Sequence, residues 1–179
     1  MTSWWCAARA LALTGCATAA ACGGDDTTAP PDNATPFVTT LGVWADDTAS
    51  FSTLADGAAV PVVEGFQGLV FANLALRADA DVPAQFVADG TLRFDDTGDE
   101  VPLYDGFVFF EALPQGRVAT SFRVGLSGTA ASLDDRPLTL SFELRSHDGA
   151  WRSDVDARLV LRDAQCRHTP EGTFVCDGT

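Results

Sequence analysis

The sequence predicts an all-β fold, an immunoglobulin-like antiparallel β-sandwich, and three observations carry that expectation. From Phe37 onward, apolar residues recur at every second position in short segments. Clusters of Gly, Asp and Pro separate those segments, as turns separate strands. No long window after position 36 carries the helical period of about 3.6 residues. The domain assigned to this pattern runs over residues 37–179, a length that buries one real core and does not comfortably divide into two.

Residues 1–21 read as a leader. Arg9 is the only charged side chain before Asp25, and residues 10–21 are apolar or small. That stretch suits a secretory signal and is too short to span a bilayer as a helix. Two cysteines follow small residues: Leu13-Thr14-Gly15-Cys16 and Ala19-Ala20-Ala21-Cys22. Here the chain resembles bacterial lipoproteins, whose signal ends in a small-residue box before a cysteine that becomes acylated on sulfur. The resemblance implies a lipid on Cys22, with Cys16 as the alternative: the Cys16 box is the stricter one, but Cys22 leaves the better apolar length. Lipid attachment through several acyl chains holds a protein stably where a single chain holds it only marginally. The address this implies is the cell envelope, with the protein tied to a membrane and facing periplasm or exterior. An ordinary cleaved secretory peptide is the plainer reading of the same residues.

Residues 22–36 hold Asp, Thr, Pro and Gly without a large apolar side chain until Phe37, so they form a flexible acidic tether. The formal charge of the whole chain is -14, and removing Arg9 with the leader makes it more negative still. Nucleic acid and bare anionic lipid need a cationic face, so neither is an expected partner. The chain has no Lys, which excludes a P-loop and a Schiff-base lysine.

In chain order the predicted strands are PFVTTLGVW, ASFSTL, AAVPVVEG, GLVFANLALRA, TLRFDD, VPLYDGFVFFEA, RVATSFRVGL, PLTLSFELRS and SDVDARLVLRD. The last three alternate most cleanly. Val118, Thr120, Phe122 and Val124 share one face, as do Leu138, Leu140, Phe142 and Leu144, and then Val155, Ala157, Leu159 and Leu161. One face of each is apolar and the other wet, which is the pattern of two packed layers. DDTGDE at 95–100 and SHDGAW at 146–151 read as hairpin turns, with Gly98 and Gly149 supplying positive φ. Within residues 50–78, Asp56-Gly57, the apolar run 60–63, Gly65-Phe66-Gln67-Gly68 and the run 69–77 ending in Arg77 follow one another. That succession resembles uncharacterised predicted envelope lipoproteins of GC-rich Gram-negative bacteria, and implies the envelope address and the sandwich without implying an activity.

Candidate chemistry is sparse. Cys166 and Cys176 bracket a short C-terminal loop containing His168, and an oxidising compartment favours a disulfide there over a zinc site short of a fourth ligand. Among the acidic clusters, Asp95, Asp96, Asp99 and Glu100 are the best placed for calcium, although none follows the spaced calcium-loop pattern and turn chemistry explains them. GLSGT at 125–129 lacks the final glycine of a nucleophile elbow, and an all-β pattern offers it no strand–turn–helix context. His147 falls in a hairpin turn. Of Trp44, Trp151, Phe109 and Phe110, Trp151 beside the HDG turn is the candidate binding residue. The expectation is a non-enzymatic, membrane-anchored interaction or structural module without a cofactor, meeting an envelope protein or polymer. A carbohydrate- or calcium-binding module is the alternative.

Overall fold

The computed structural model describes residues 33–64, 69–163, 166–168 and 174–176. The leader, Cys16, Cys22, most of the tether and residues 65–68 lie outside the described residues. In chain order the elements are β1 (Thr35–Pro36), β2 (Thr39–Ala45), β3 (Ser50–Thr53), β4 (Ala58–Glu64), β5 (Val70–Ala78), β6 (Gln85–Phe94) and β7 (Glu100–Phe109). There follow β8 (Glu111–Leu113), β9 (Gly116–Leu126), the one-turn helix α1 (Ala130–Leu133), β10 (Pro137–Ser146), β11 (Trp151–Asp163), β12 (Cys166–His168) and β13 (Phe174–Cys176).

The fold is all-β, and its two layers are parts of one continuous hydrogen-bonded sheet. One layer runs β7-β6-β10-β11, and the other holds β9, β5, β2 and β3. β4 joins them: residues 58–62 pair parallel with β11, and residues 62–64 pair antiparallel with β5. Apart from β4 and the two-residue β1, both parallel to β11, every pairing is antiparallel.

Alternation sets the inner face as the sequence predicts for β10 and β11. Leu138, Leu140, Phe142, Leu144, Val155, Leu159 and Leu161 are buried, with Ala157 half-buried. Their opposite numbers form ordered rows on the outer face: Arg93-Thr139-Arg158, Thr91-Ser141-Asp156 and Asp89-Glu143-Asp154 on β6, β10 and β11. Across the core, Phe122 of β9 meets Phe142 of β10 with ring centroids 5.0 Å apart. At one end Phe37, Phe86 and Phe110 stack in sequence, 5.2 and 5.5 Å between centroids.

Three departures from the alternation have local causes. β6 begins at Gln85, well before the expected TLRFDD segment, because Asp89-Gly90 is strand interior rather than a turn. Gly90 lies opposite Phe142, and a Cβ there would overlap the Ser141 carbonyl oxygen and the Phe142 backbone. Ala119, expected on the wet face of β9, is fully buried. A bulge between the Leu74–Phe122 and Leu76–Ala119 pairs shifts the phase of β9 by a residue. Finally, α1 follows β9 directly, so GLSGT does stand in a small strand–turn–helix context. Thr129 caps it: the Ser132 N–H donates to the Thr129 hydroxyl at 3.2 Å, and the Thr129 N–H donates to the Ser132 hydroxyl at 3.0 Å.

Gly90→Ala is expected to cost roughly 1–3 kcal/mol, the usual penalty for overpacking. Urea unfolding of the variant beside the parent measures it, and an unchanged midpoint would mean that β6 and β10 separate freely at this crossing.

Candidate functional site: the cleft between β7 and β9

β7 is the edge strand of its layer, bonded to β6 alone, and its burial alternates. Val108 and Phe110 point into the core at 1% and 2% exposure, while Phe107 and Phe109 point outward at 64% and 58%. The two outward rings lie 6.3 Å apart, and Val87 on β6 is the cross-strand neighbour of Phe107. The pairing of β6 with β7 slips between Ala88–Gly106 and Gly90–Leu103, placing an extra β7 residue in the ladder. Such a bulge bends an edge strand and spoils its regular row of free backbone groups.

At Phe110 the chain leaves this layer, with the Phe110 N–H donating to the Ala84 carbonyl at 2.7 Å. It enters the other layer as β8, which pairs with β9 through residues 116–118 only. Beyond that stitch a cleft of about 530 Å³ lies between β7 and the β5–β9 pair. Leu103, Gly106 and Phe107 line one side, Leu69 and Phe71 the other, and the buried Phe122 the floor. Leu69, 67% exposed, and Phe107 are two of the four large hydrophobic side chains that stand exposed among the described residues; Phe109 adjoins the cleft and Val38 is the fourth. Exposed apolar groups gathered in one place mark a contact surface more clearly than the same groups scattered.

Among the described residues, Arg123 is the one charged residue lining the cleft. Its guanidinium stands over the Phe71 ring, 5.3 Å from the centroid. Beside it on β9, the Ser121 hydroxyl donates to Asn73 Oδ1 at 3.1 Å.

The residues singled out in the sequence lie elsewhere. Trp151 is half-buried, edge-on to Phe37 at 6.3 Å, and packs against the core rather than standing free. Trp44 is also half-buried, beside Phe51 in the register of β2 with β3. Phe110 is core and Phe109 is surface. His147 is exposed in the β10–β11 hairpin, where Asp148 Oδ1 accepts from the Ser146 hydroxyl at 2.6 Å and from the Ala150 N–H at 3.0 Å. Those bonds hold the Asp148 carboxyl below its usual range, the Ser146 hydroxyl contributing most. Ser127 precedes α1, which packs toward Leu161 at the far end of β11 through the Asp135 N–H and Leu161 carbonyl. Some ten residues of strand, roughly 33 Å, separate that end from the His147 hairpin, so the two cannot form a nucleophile–base pair.

In the Asp95–Glu100 turn the carboxylates of Asp95 and Asp96 are already engaged. The Thr139 hydroxyl donates to Asp95 Oδ1 at 3.0 Å. Arg136 donates Nε to Asp96 Oδ2 at 2.9 Å and Nη2 to Oδ1 at 2.8 Å, while lying 4.0 Å over the Phe94 ring. The Arg136 hydrogen bond is the main reason the Asp96 carboxyl is held below its usual range. Among the described residues no group of three or more His, Cys, Asp or Glu side chains gathers as a metal site. At the C-terminal end, Cys166 and Cys176 are directly opposite in the register of β12 with β13.

Sequence reasoning reached Phe109 but missed Leu69, Phe107 and Arg123. The run FVFF carried a usable signal: in an alternating strand, four consecutive large apolar residues must put two outside. No protein-family model matches this chain. A search of curated proteins finds no match either.

Two predictions follow from the contrast between surface and turn. Phe110→Ala should cost about 3–5 kcal/mol and Phe107→Ser nearly nothing in denaturant unfolding, because one ring fills the core and the other faces solvent. Asp96→Asn should lower the thermal midpoint at pH 7. The depressed carboxyl stabilises the fold fully above its ordinary pKa of about 3.9 and loses that contribution as pH falls through the lower folded value. The difference from the parent should therefore close as pH falls below the ordinary carboxylate range in a melting series, whereas a pH-independent difference would assign the effect to turn backbone instead.

Proposed function

We propose that this chain is a non-enzymatic envelope lipoprotein whose sandwich is an interaction module: acylated on Cys22, standing off a membrane on an acidic tether, and presenting the β7–β9 cleft to its partner. The observation that carries the binding role is the exposure of Leu69 and Phe107 in one cleft, with exposed Phe109 beside Phe107. The leader and its two cysteine boxes support the address. By chain statistics a tether over residues 22–36 reaches roughly 20 Å, enough to clear headgroups. The negative charge of the protein keeps it off the anionic surface to which it is tied.

The oxidising address goes with a disulfide between Cys166 and Cys176. Their opposition in an antiparallel ladder supports it, since directly opposed Cα atoms lie about 4.5–5.5 Å apart, within the span a disulfide bridges. The partner is an envelope protein, a polymer or a smaller envelope constituent.

Peptide-level mass spectrometry of the membrane-extracted protein, with Cys16→Ala and Cys22→Ala alongside, tests this reading. The expected result is an acyl mass on Cys22, a linked Cys166 and Cys176 peptide, and release of only the Cys22→Ala variant from membranes. Acylation at Cys16 would move the anchor, and an unmodified chain in the soluble fraction would overturn the lipoprotein assignment.

A further inference from the structure

We propose that the β7–β9 cleft is a binding site for a single-chain amphiphilic anion, with its carboxylate against Arg123 and its apolar body laid between Leu69, Phe71 and Phe107 over Phe122. This deepens the module reading above by naming a ligand class. The cleft volume, about 530 Å³, falls in the range of small-molecule sites, and its described lining is mostly apolar with Arg123 as its single charge, the composition such sites have.

Charge complementarity selects the anion. Six of the nine arginines whose side chains are described pair with carboxylates: Arg93, Arg117, Arg136, Arg145, Arg152 and Arg162. Arg123 pairs with none among the described residues and rests on the Phe71 ring, a contact that positions the guanidinium without neutralising it. On a chain of formal charge -14 the general field repels anions, so an anion that binds does so through a local cation flanked by apolar surface. The Ser121 hydroxyl donates to Asn73 and adds no competing donor.

An extended peptide is the less suitable occupant. β7 would have to template it, and Pro102 together with the bulge opposite Asp89 interrupts the backbone row that strand addition needs.

The experiment is titration calorimetry of the full-length chain with decanoate below its micelle concentration, and with decyltrimethylammonium as the probe of opposite charge and equal tail. Saturable one-to-one binding of decanoate and none of the cation is expected. Arg123→Gln should weaken decanoate at least about tenfold, the loss of one charge-assisted contact, with an unchanged melting temperature. Leu69→Ser should also weaken it, and Val38→Ser, which removes an exposed apolar side chain outside the cleft, should not. Absence of saturable binding, equal binding of both probes, or an Arg123→Gln variant that binds like the parent overturns the proposal. Failure of decanoate binding in a protein acylated on Cys22 sinks the ligand and leaves the envelope module. Decanoate binding by a chain found unacylated in the soluble fraction sinks the envelope address and leaves the site.

Discussion

The sandwich depends on β4 being shared. Its first residues complete the β11 edge, its last complete the β5 edge, and Val62 pairs with Asp163 on one side and Ala72 on the other. A backbone ladder therefore runs without interruption from one layer into the next, and neither layer can move off the core without breaking β4 from a partner. Proline inside a strand is tolerated only where one edge lacks a ladder partner, and Pro61 stands in the part of β4 that has not yet met β5. Val60 and Val62, almost completely buried, hold the same strand into the core from the side-chain direction.

The chain crosses between layers a second time at Phe110, where β7 ends and β8 begins. Here the crossing is fastened by a buried aromatic and a short ladder instead of a shared strand. A seam closed firmly along one side and only at one point along the other leaves space beside the weaker closure. The cleft occupies that space, and it owes its apolar lining to the same β7 alternation that sends Val108 and Phe110 inward. The charged residues of the outer face are by contrast largely used on one another: Glu143 accepts from both Arg145 and Arg152, and Arg136 grips Asp96 bidentately. Exposed ion pairs of this kind contribute little to stability individually, but they occupy the charges a ligand would need.

Side-chain alternation is a local property, so the inner and outer faces of β10 and β11 were legible from residues 137–163 alone. Which strands pair is not local. The parallel pairings of β11 with β1 and β4 join segments that lie more than a hundred and about a hundred residues apart, and nothing in either segment names the other. Bulges were hidden for a related reason: Ala119 and the extra β7 residue become visible only against the partner strand they slip past. The β6 strand was expected to begin only at Thr91, since the role of Gly90, letting β10 approach, shows only against the partner strand. At the site, composition pointed to aromatics in general. It could not separate Phe109 from Phe110, which differ only in the face each takes, nor foresee that Arg123 would find a ring instead of an acid.

β1 gives the domain a particular mechanical character. It is two residues long and runs parallel to β11, held by the Thr35 N–H on the Ala150 carbonyl at 2.7 Å and the Phe37 N–H on the Arg152 carbonyl at 3.1 Å. Directly behind these bonds Phe37 is wedged between Phe86 and Trp151. Tension arriving along the chain from upstream of Thr35 thus meets two backbone bonds and one aromatic plug before it reaches the main ladders. Under such a load β1 and Phe37 stand first in line, ahead of the ladders that hold the two layers.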